Sequence, residues 1–163
     1  MYRLVIIDDE LSARAGLKEC FNWSEFGVEV VGEADNGINT LKLIGEVKPD
    51  IVLTDVKMPK MDGIQLSLEL SRLYKNIKIV FISGYDEFEY LKSALKVEAV
   101  DYILKPVNMK EMHSVIKKVT SILDSNENQK RTIYHMHSKL IQKIPHVYNQ
   151  ARVFRRKQAS GKT

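Results

Sequence analysis

A doubly wound parallel α/β fold follows from two features of this 163-residue sequence. Short β-branched runs alternate with stretches whose apolar residues fall three and four apart, five times over. The runs are also nearly continuous in apolar residues, as strands become when helices cover both faces of a sheet. Five strand–helix pairs of this kind imply a parallel sheet built from right-handed crossovers. A hydrophobic fraction of 44% is enough to fill the core of one such domain.

The strands are expected at Leu4–Ile7, Val28–Val31, Ile51–Thr54, Ile77–Ile82 and Val100–Leu104. Leu41, Ile44 and Val47 mark the second helix, and Leu66, Leu70 and Leu73 the third. Pro49 separates the second helix from the third strand, Asp62-Gly63 opens the third helix, and Asn108 is placed to cap the fifth. The link from the first helix to the second strand is longer than it needs to be. Its residues 22–27 hold the only tryptophan, Trp23. These aromatics are expected to cover the end of the first helix; a partner-binding loop is the alternative. Near the C-terminus, Met112, Ile116, Val119, Leu123, Asn126, Lys130, Ile133, His137, Leu140 and Ile144 alternate steps of four and three, which is heptad spacing. Asn126, Lys130 and His137 interrupt its apolar character. Pro145 is expected to end this helix and leave frayed residues after it.

Two parts result: a globular domain over 1–123, and a basic linker or tail over 124–163 that partly extends the last helix. Charge divides the same way. Residues 1–125 carry 16 Lys+Arg against 20 Asp+Glu, whereas residues 126–163 carry 9 Lys+Arg and one acid, Glu127. The net +4 therefore describes neither part. No apolar run approaches a membrane span, and Asp8 and Asp9 stand where a signal peptide would continue apolar. A single cysteine, Cys20, excludes an internal disulfide and a cysteine-based zinc site, so a reducing, cytoplasmic setting is expected.

Every strand of a parallel sheet delivers its C-terminal end to one edge, where ligands bind. There the first strand brings Asp8 and Asp9, the third Asp55, the fourth Ser83, and the fifth Lys105 followed by Pro106. The second strand brings Glu33, Ala34 and Asp35 to the flank. Singly, each of these is an ordinary cap or turn residue; together they make a site. Three carboxylates on one edge repel one another, and a divalent cation removes that cost. Hard oxygen ligands without histidine or cysteine favour Mg²⁺. A carboxylate beside Mg²⁺, with a lysine and a hydroxyl close by, suits phosphoryl transfer, which depends mainly on positioning and on neutralising charge.

The segments Val5–Glu10, Ile51–Gly63, Ile82–Tyr85 and Asp101–Pro106 closely resemble the receiver domain of bacterial two-component response regulators, in order over about residues 1–123. The loop Trp23–Gly27 and the stretch Ser83–Tyr90 resemble the subgroup with an AraC-type DNA-binding output. The resemblance implies a flavodoxin-like (βα)5 fold and specific roles. Asp55 would accept a phosphoryl group from a sensor histidine kinase. Asp9 and Asp55 would bind Mg²⁺ directly, with the backbone carbonyl of Lys57, and Asp8 mainly through water. Lys105, in a cis bond to Pro106, would neutralise the phosphoryl oxygens. Ser83 would donate its hydroxyl, and Tyr102 would swing inward behind it. The face of the fourth helix, fifth strand and fifth helix would then change shape and pair with a second copy. DNA would be reached only through an output domain absent from this chain. Ser83 stands where threonine is commoner, and Glu98 where glycine is frequent; neither departure touches the phosphorylation chemistry.

Other signals carry less. Gly161-Lys162-Thr163 ends like a phosphate-binding loop, but Arg156 occupies the position of its first glycine. His135 and His137 lie two apart and face different ways on a helix, and the arginines around Phe154 form an ordinary charge run. Acids replace the Ser/Thr-rich loop a flavin would want. The chain is expected to act on itself and not as an enzyme. A phosphatase of similar topology would want an acid two residues after its nucleophile, where Lys57 stands. The remaining rival is a non-phosphorylated interaction module whose basic tail binds nucleic acid.

Overall fold

A computed structural model describes residues 1–84 and 99–159, with side chains as far as Ile141 in the last helix. Five strands form one wholly parallel sheet: β1 Tyr2–Ile7, β2 Val28–Ala34, β3 Ile51–Asp55, β4 Lys78–Ser83 and β5 Ala99–Leu104. Their spatial order is β2-β1-β3-β4-β5. The flavodoxin-like arrangement expected from the sequence is thus the one observed. Leu4, Val5, Ile7, Ile51, Val52 and Leu53 are wholly buried, which is why the central strands read as unbroken apolar runs.

Four helices are described: α1 Leu11–Cys20, α2 Gly37–Val47, α3 Gly63–Leu73 and α4 Met109–Ala159. The expected fourth helix, the stretch Tyr85–Tyr90 and Glu98 lie outside the described residues. Side chains begin α2, α3 and α4, whereas Glu10 before α1 makes no such cap. Asn36 Oδ1 accepts from the Asn39 N–H at 2.9 Å, Asp62 Oδ1 from the Gln65 N–H at 2.7 Å, and Asn108 Oδ1 from the Lys110 N–H at 2.8 Å.

The loop before β2 forms a 3-10 turn, Trp23–Phe26, closed by Gly27 in the left-handed region at φ 66°. Trp23 is buried and donates its indole N–H to the Leu17 carbonyl at 3.0 Å. Phe21 packs on both Trp23 and Phe26. The aromatics cover the end of α1, the first of the two readings the sequence allowed.

The chain divides into two compact units, Met1–Ser121 and Ile122–Thr163. α4 does not stop at Pro145, contrary to the sequence expectation, but runs on to Ala159. A proline withholds one N–H from the helical ladder; here the ladder continues past that missing donor.

Gly63 brings the start of α3 against the end of β3. A Cβ there would overlap the Asp55 carbonyl oxygen and press on its carbonyl carbon and on Val56 Cα, all of them backbone atoms. Gly63→Ala should therefore push α3 off the Asp55 backbone and cost about 1–3 kcal/mol in chemical unfolding. Unchanged stability would mean that this close approach is not needed.

Candidate functional site

The winding direction of the sheet reverses between β1 and β3, and there the acids meet. Asp8 follows β1 and Asp55 ends β3, so neighbouring strands bring both carboxylates to one edge. One carboxylate oxygen each from Asp8, Asp9 and Asp55 lies within 4.8 Å of the others. Asp8 is fully buried and Asp55 is 5% exposed, whereas Asp9 is open to solvent. The cluster thus has a wet side and a dry side.

Lys105 serves the dry side. Its Nζ lies 3.1 Å from Asp8 Oδ2 and 3.2 Å from Asp55 Oδ1, spanning from the end of β5 to the β1–β3 pair. Burial works to lower its pKa, but the hydrogen bond to Asp8 and the charges of Asp55 and Asp8 prevail and hold it above the ordinary 10.5. The ammonium therefore stays charged through the neutral range. Its stabilising contribution is complete below the unfolded lysine value and is lost only as pH rises through the raised one. The bond from Lys105 to Pro106 is cis, as the family resemblance implied.

Backbone bonds fix the surroundings. The Lys105 N–H donates to the Ser83 carbonyl at 2.8 Å, and the Val56 N–H to the Ile82 carbonyl at 3.0 Å. Asp8 is held twice: its Oδ1 accepts from the Glu10 N–H at 2.9 Å, and its carbonyl accepts from Arg14 Nη1 at 2.6 Å. The Arg14 contact was not among the sequence expectations. Its signal was an arginine in the first turns of the helix that follows the acid pair.

Ser83 ends β4, fully buried, and its Oγ has no hydrogen-bond partner among the described residues. A buried hydroxyl without a partner is costly unless a ligand supplies one. Tyr102 sits on β5 opposite Phe81, half-buried and packed against the core. Lys57 lies exposed in the turn after Asp55. Asp35 flanks the site: its hydrogen bond from Asn39, then the charges of Arg14 and Lys60, hold its carboxyl below the ordinary range against some desolvation. Beside the acids a cleft of about 360 Å³ opens between α1 and the start of α4, with Asp8, Leu17, Lys105 and Met109 in its walls. The cluster offers oxygen ligands only, a donor set suited to a hard divalent cation.

Residues 4–117 match the family model of the response regulator receiver domain. The chain belongs to that family. It is 33% identical over 140 residues to the transcriptional regulatory protein YesN of Bacillus subtilis, covering 86% of this chain and 38% of that protein. Against the transcriptional regulatory protein HptR of Staphylococcus aureus it is 31% identical, covering 84% of this chain and 54% of the relative. The chain thus spans roughly two-fifths to one-half of the length of these relatives. Among solved structures, the receiver domain of AraT, a response regulator from Geobacillus stearothermophilus, superposes with a TM-score of 0.74 at 35% identity, covering 77% of this chain and 98% of that one. A two-component transcriptional regulator AraC from Clostridium phytofermentans gives 0.73 at 35% identity, over 78% of this chain and 98% of its own.

If the Ser83 hydroxyl awaits an external oxygen, it contributes nothing to the unliganded fold. Ser83→Ala should leave urea stability within about 0.5 kcal/mol of wild type, or raise it slightly. A loss of several times that size would mean that Ser83 serves the resting structure.

Proposed function

We propose that this receiver domain is a Mg²⁺-dependent phosphoacceptor switch that takes a phosphoryl group from a sensor histidine kinase onto Asp55. The observation that carries this reading is the convergence of Asp8, Asp9 and Asp55 within 4.8 Å, with the Lys105 ammonium against the buried pair. Asp9, Asp55 and the Lys57 carbonyl would hold the cation, and Asp8 would act mainly through water. When bound, Mg²⁺ supplies charge neutralisation to the phosphoryl oxygens.

The chain's own groups do the rest. A carboxylate oxygen of Asp55 attacks phosphorus; an O–P bond forms as the N–P bond of a phosphohistidine breaks, and the imidazole leaves with the bonding electrons. Lys105 follows the added negative charge, and the unpartnered Ser83 hydroxyl donates to a phosphoryl oxygen. Tyr102 then moves further inward, altering the β5 face. This reshaped face would favour pairing with a second copy.

The cycle consumes one donor per acceptor carboxylate, so the chain is a switch and not an enzyme acting on a separate substrate pool. DNA would be reached through an AraC-type output module outside this chain, in the cytoplasm. No described helix is long and apolar enough to cross a membrane.

Intact-mass spectrometry after incubation with acetyl phosphate tests the reading. Wild type should gain a single phosphoryl group only with Mg²⁺ present, and Asp55→Ala should gain none. No adduct, together with no phosphate released from the donor, would move the reading to the non-phosphorylated interaction module.

A further inference from the structure

The turn that carries the acids into α1 lacks a side-chain cap, and a basic residue in the first turn of the helix closes it instead. Arg14 donates its backbone N–H to the Glu10 carbonyl at 3.2 Å, and its Nη1 reaches back to the Asp8 carbonyl at 2.6 Å. Asp8 is fixed at other points too. Its N–H donates to the Ala34 carbonyl at 3.2 Å, and its Oδ1 accepts from the Glu10 N–H at 2.9 Å. The Asp8 carbonyl belongs to the peptide that leads into Asp9. A peptide is planar, so holding its oxygen holds the plane and the start of Asp9 with it. Asp9 is exposed, and its carboxylate is aimed by that backbone. The guanidinium is placed at a cost: Arg14 Nε is buried and has no hydrogen-bond partner among the described residues. A charged side chain kept with an unpaired donor is not explained by stability alone.

We infer that Arg14 is a positioning residue that clasps the Asp8–Asp9 peptide and so makes the cation site selective for Mg²⁺ over the larger Ca²⁺; this rests on the cation reading proposed above. Charge alone gives Arg14 no favourable role there, because a guanidinium repels any cation held by the same acids. By Coulomb's law its removal would tighten Mg²⁺ and Ca²⁺ alike, since both carry two charges. Geometry separates the two ions. Mg²⁺ demands near-octahedral oxygens at about 2.0–2.1 Å, whereas Ca²⁺ accepts a looser set at roughly 2.3–2.6 Å. A turn held at its peptide oxygen suits the stricter ion; a turn free to spread suits the larger one. Asp8 and Asp55 are already fixed by burial and by Lys105. Asp9, on the exposed rim, is the member of the cluster with most freedom, and Arg14 limits it through the backbone. Groups that orient ligands from behind commonly change metal affinity by about 10–100-fold when removed.

Two measurements on the 163-residue chain test this, comparing wild type with Arg14→Met, a neutral side chain of similar stem. Isothermal titration with Mg²⁺ and then with Ca²⁺ gives a selectivity ratio from which any shared effect of charge cancels. That ratio should fall about tenfold in Arg14→Met, through weaker Mg²⁺ binding with Ca²⁺ unchanged or tighter. Without metal, backbone amide relaxation should show the order parameters of Asp9 and Glu10 falling from about 0.85 towards roughly 0.6, with the central strands unchanged. If Arg14→Met does not fold, Arg14→Lys keeps the charge on a shorter stem and is read in the same two ways, with the same expectation. Equal changes for both ions would mean that Arg14 acts by charge alone and would overturn the inference. So would an unchanged ratio, or amides at Asp9 and Glu10 as rigid in the variant as in wild type. Wild type that binds neither ion is the one result that sinks the proposed cation site itself, and the selectivity with it.

Discussion

Two aspartates, Asp8 and Asp55, lie buried side by side with a third, Asp9, at the rim, and one ammonium stands against the buried pair. Buried like charges are expensive unless a counter-charge sits within hydrogen-bond reach. Lys105 meets that requirement, and its placement constrains much of the domain. It must come from the end of β5, so β5 must follow β4 in the sheet, and the backbone bond from Lys105 to Ser83 locks that order at the site. Gly63 lets α3 start directly against Asp55. Arg14 draws α1 onto the Asp8 carbonyl.

The same arrangement leaves a deficit that the resting chain does not fill. Among the described residues one lysine stands against Asp8 and Asp55, and the third carboxylate of the cluster, Asp9, is exposed to water. Ser83 Oγ has no partner among the described residues. A positive charge at the rim and an oxygen acceptor near Ser83 would complete both. A divalent cation and a phosphoryl group on Asp55 are the proposed candidates, and they explain why the half-satisfied arrangement is worth its cost.

Much of this was legible in the sequence because the controlling signals are local. Central strands buried on both faces become unbroken apolar runs, and strand ends determine which side chains share an edge; Asp8, Asp55, Ser83 and Lys105 were placed on that basis. Helix starts at Asp62 and Asn108 were readable from side-chain chemistry. What escaped depends on tertiary reach or on summed weak terms. The Arg14 bond to Asp8 joins a helix to a loop through a long, flexible side chain. The helix persisting past Pro145 reflects a balance between one missing donor and the helical ladder around it. The long loop at Trp23 left two readings open, because burial of an aromatic is decided by what it meets: here Phe21, Phe26 and the Leu17 carbonyl.

In the proposed switch, Asp8, Asp9 and Asp55 together form one divalent-cation site. Isothermal titration of the resting protein with Mg²⁺, alongside Asp9→Asn, tests it most directly. The account predicts one Mg²⁺ per chain in wild type and at least a tenfold weaker affinity in the variant, a loss of about 1.4 kcal/mol. No binding in wild type, or equal binding in both proteins, would contradict it.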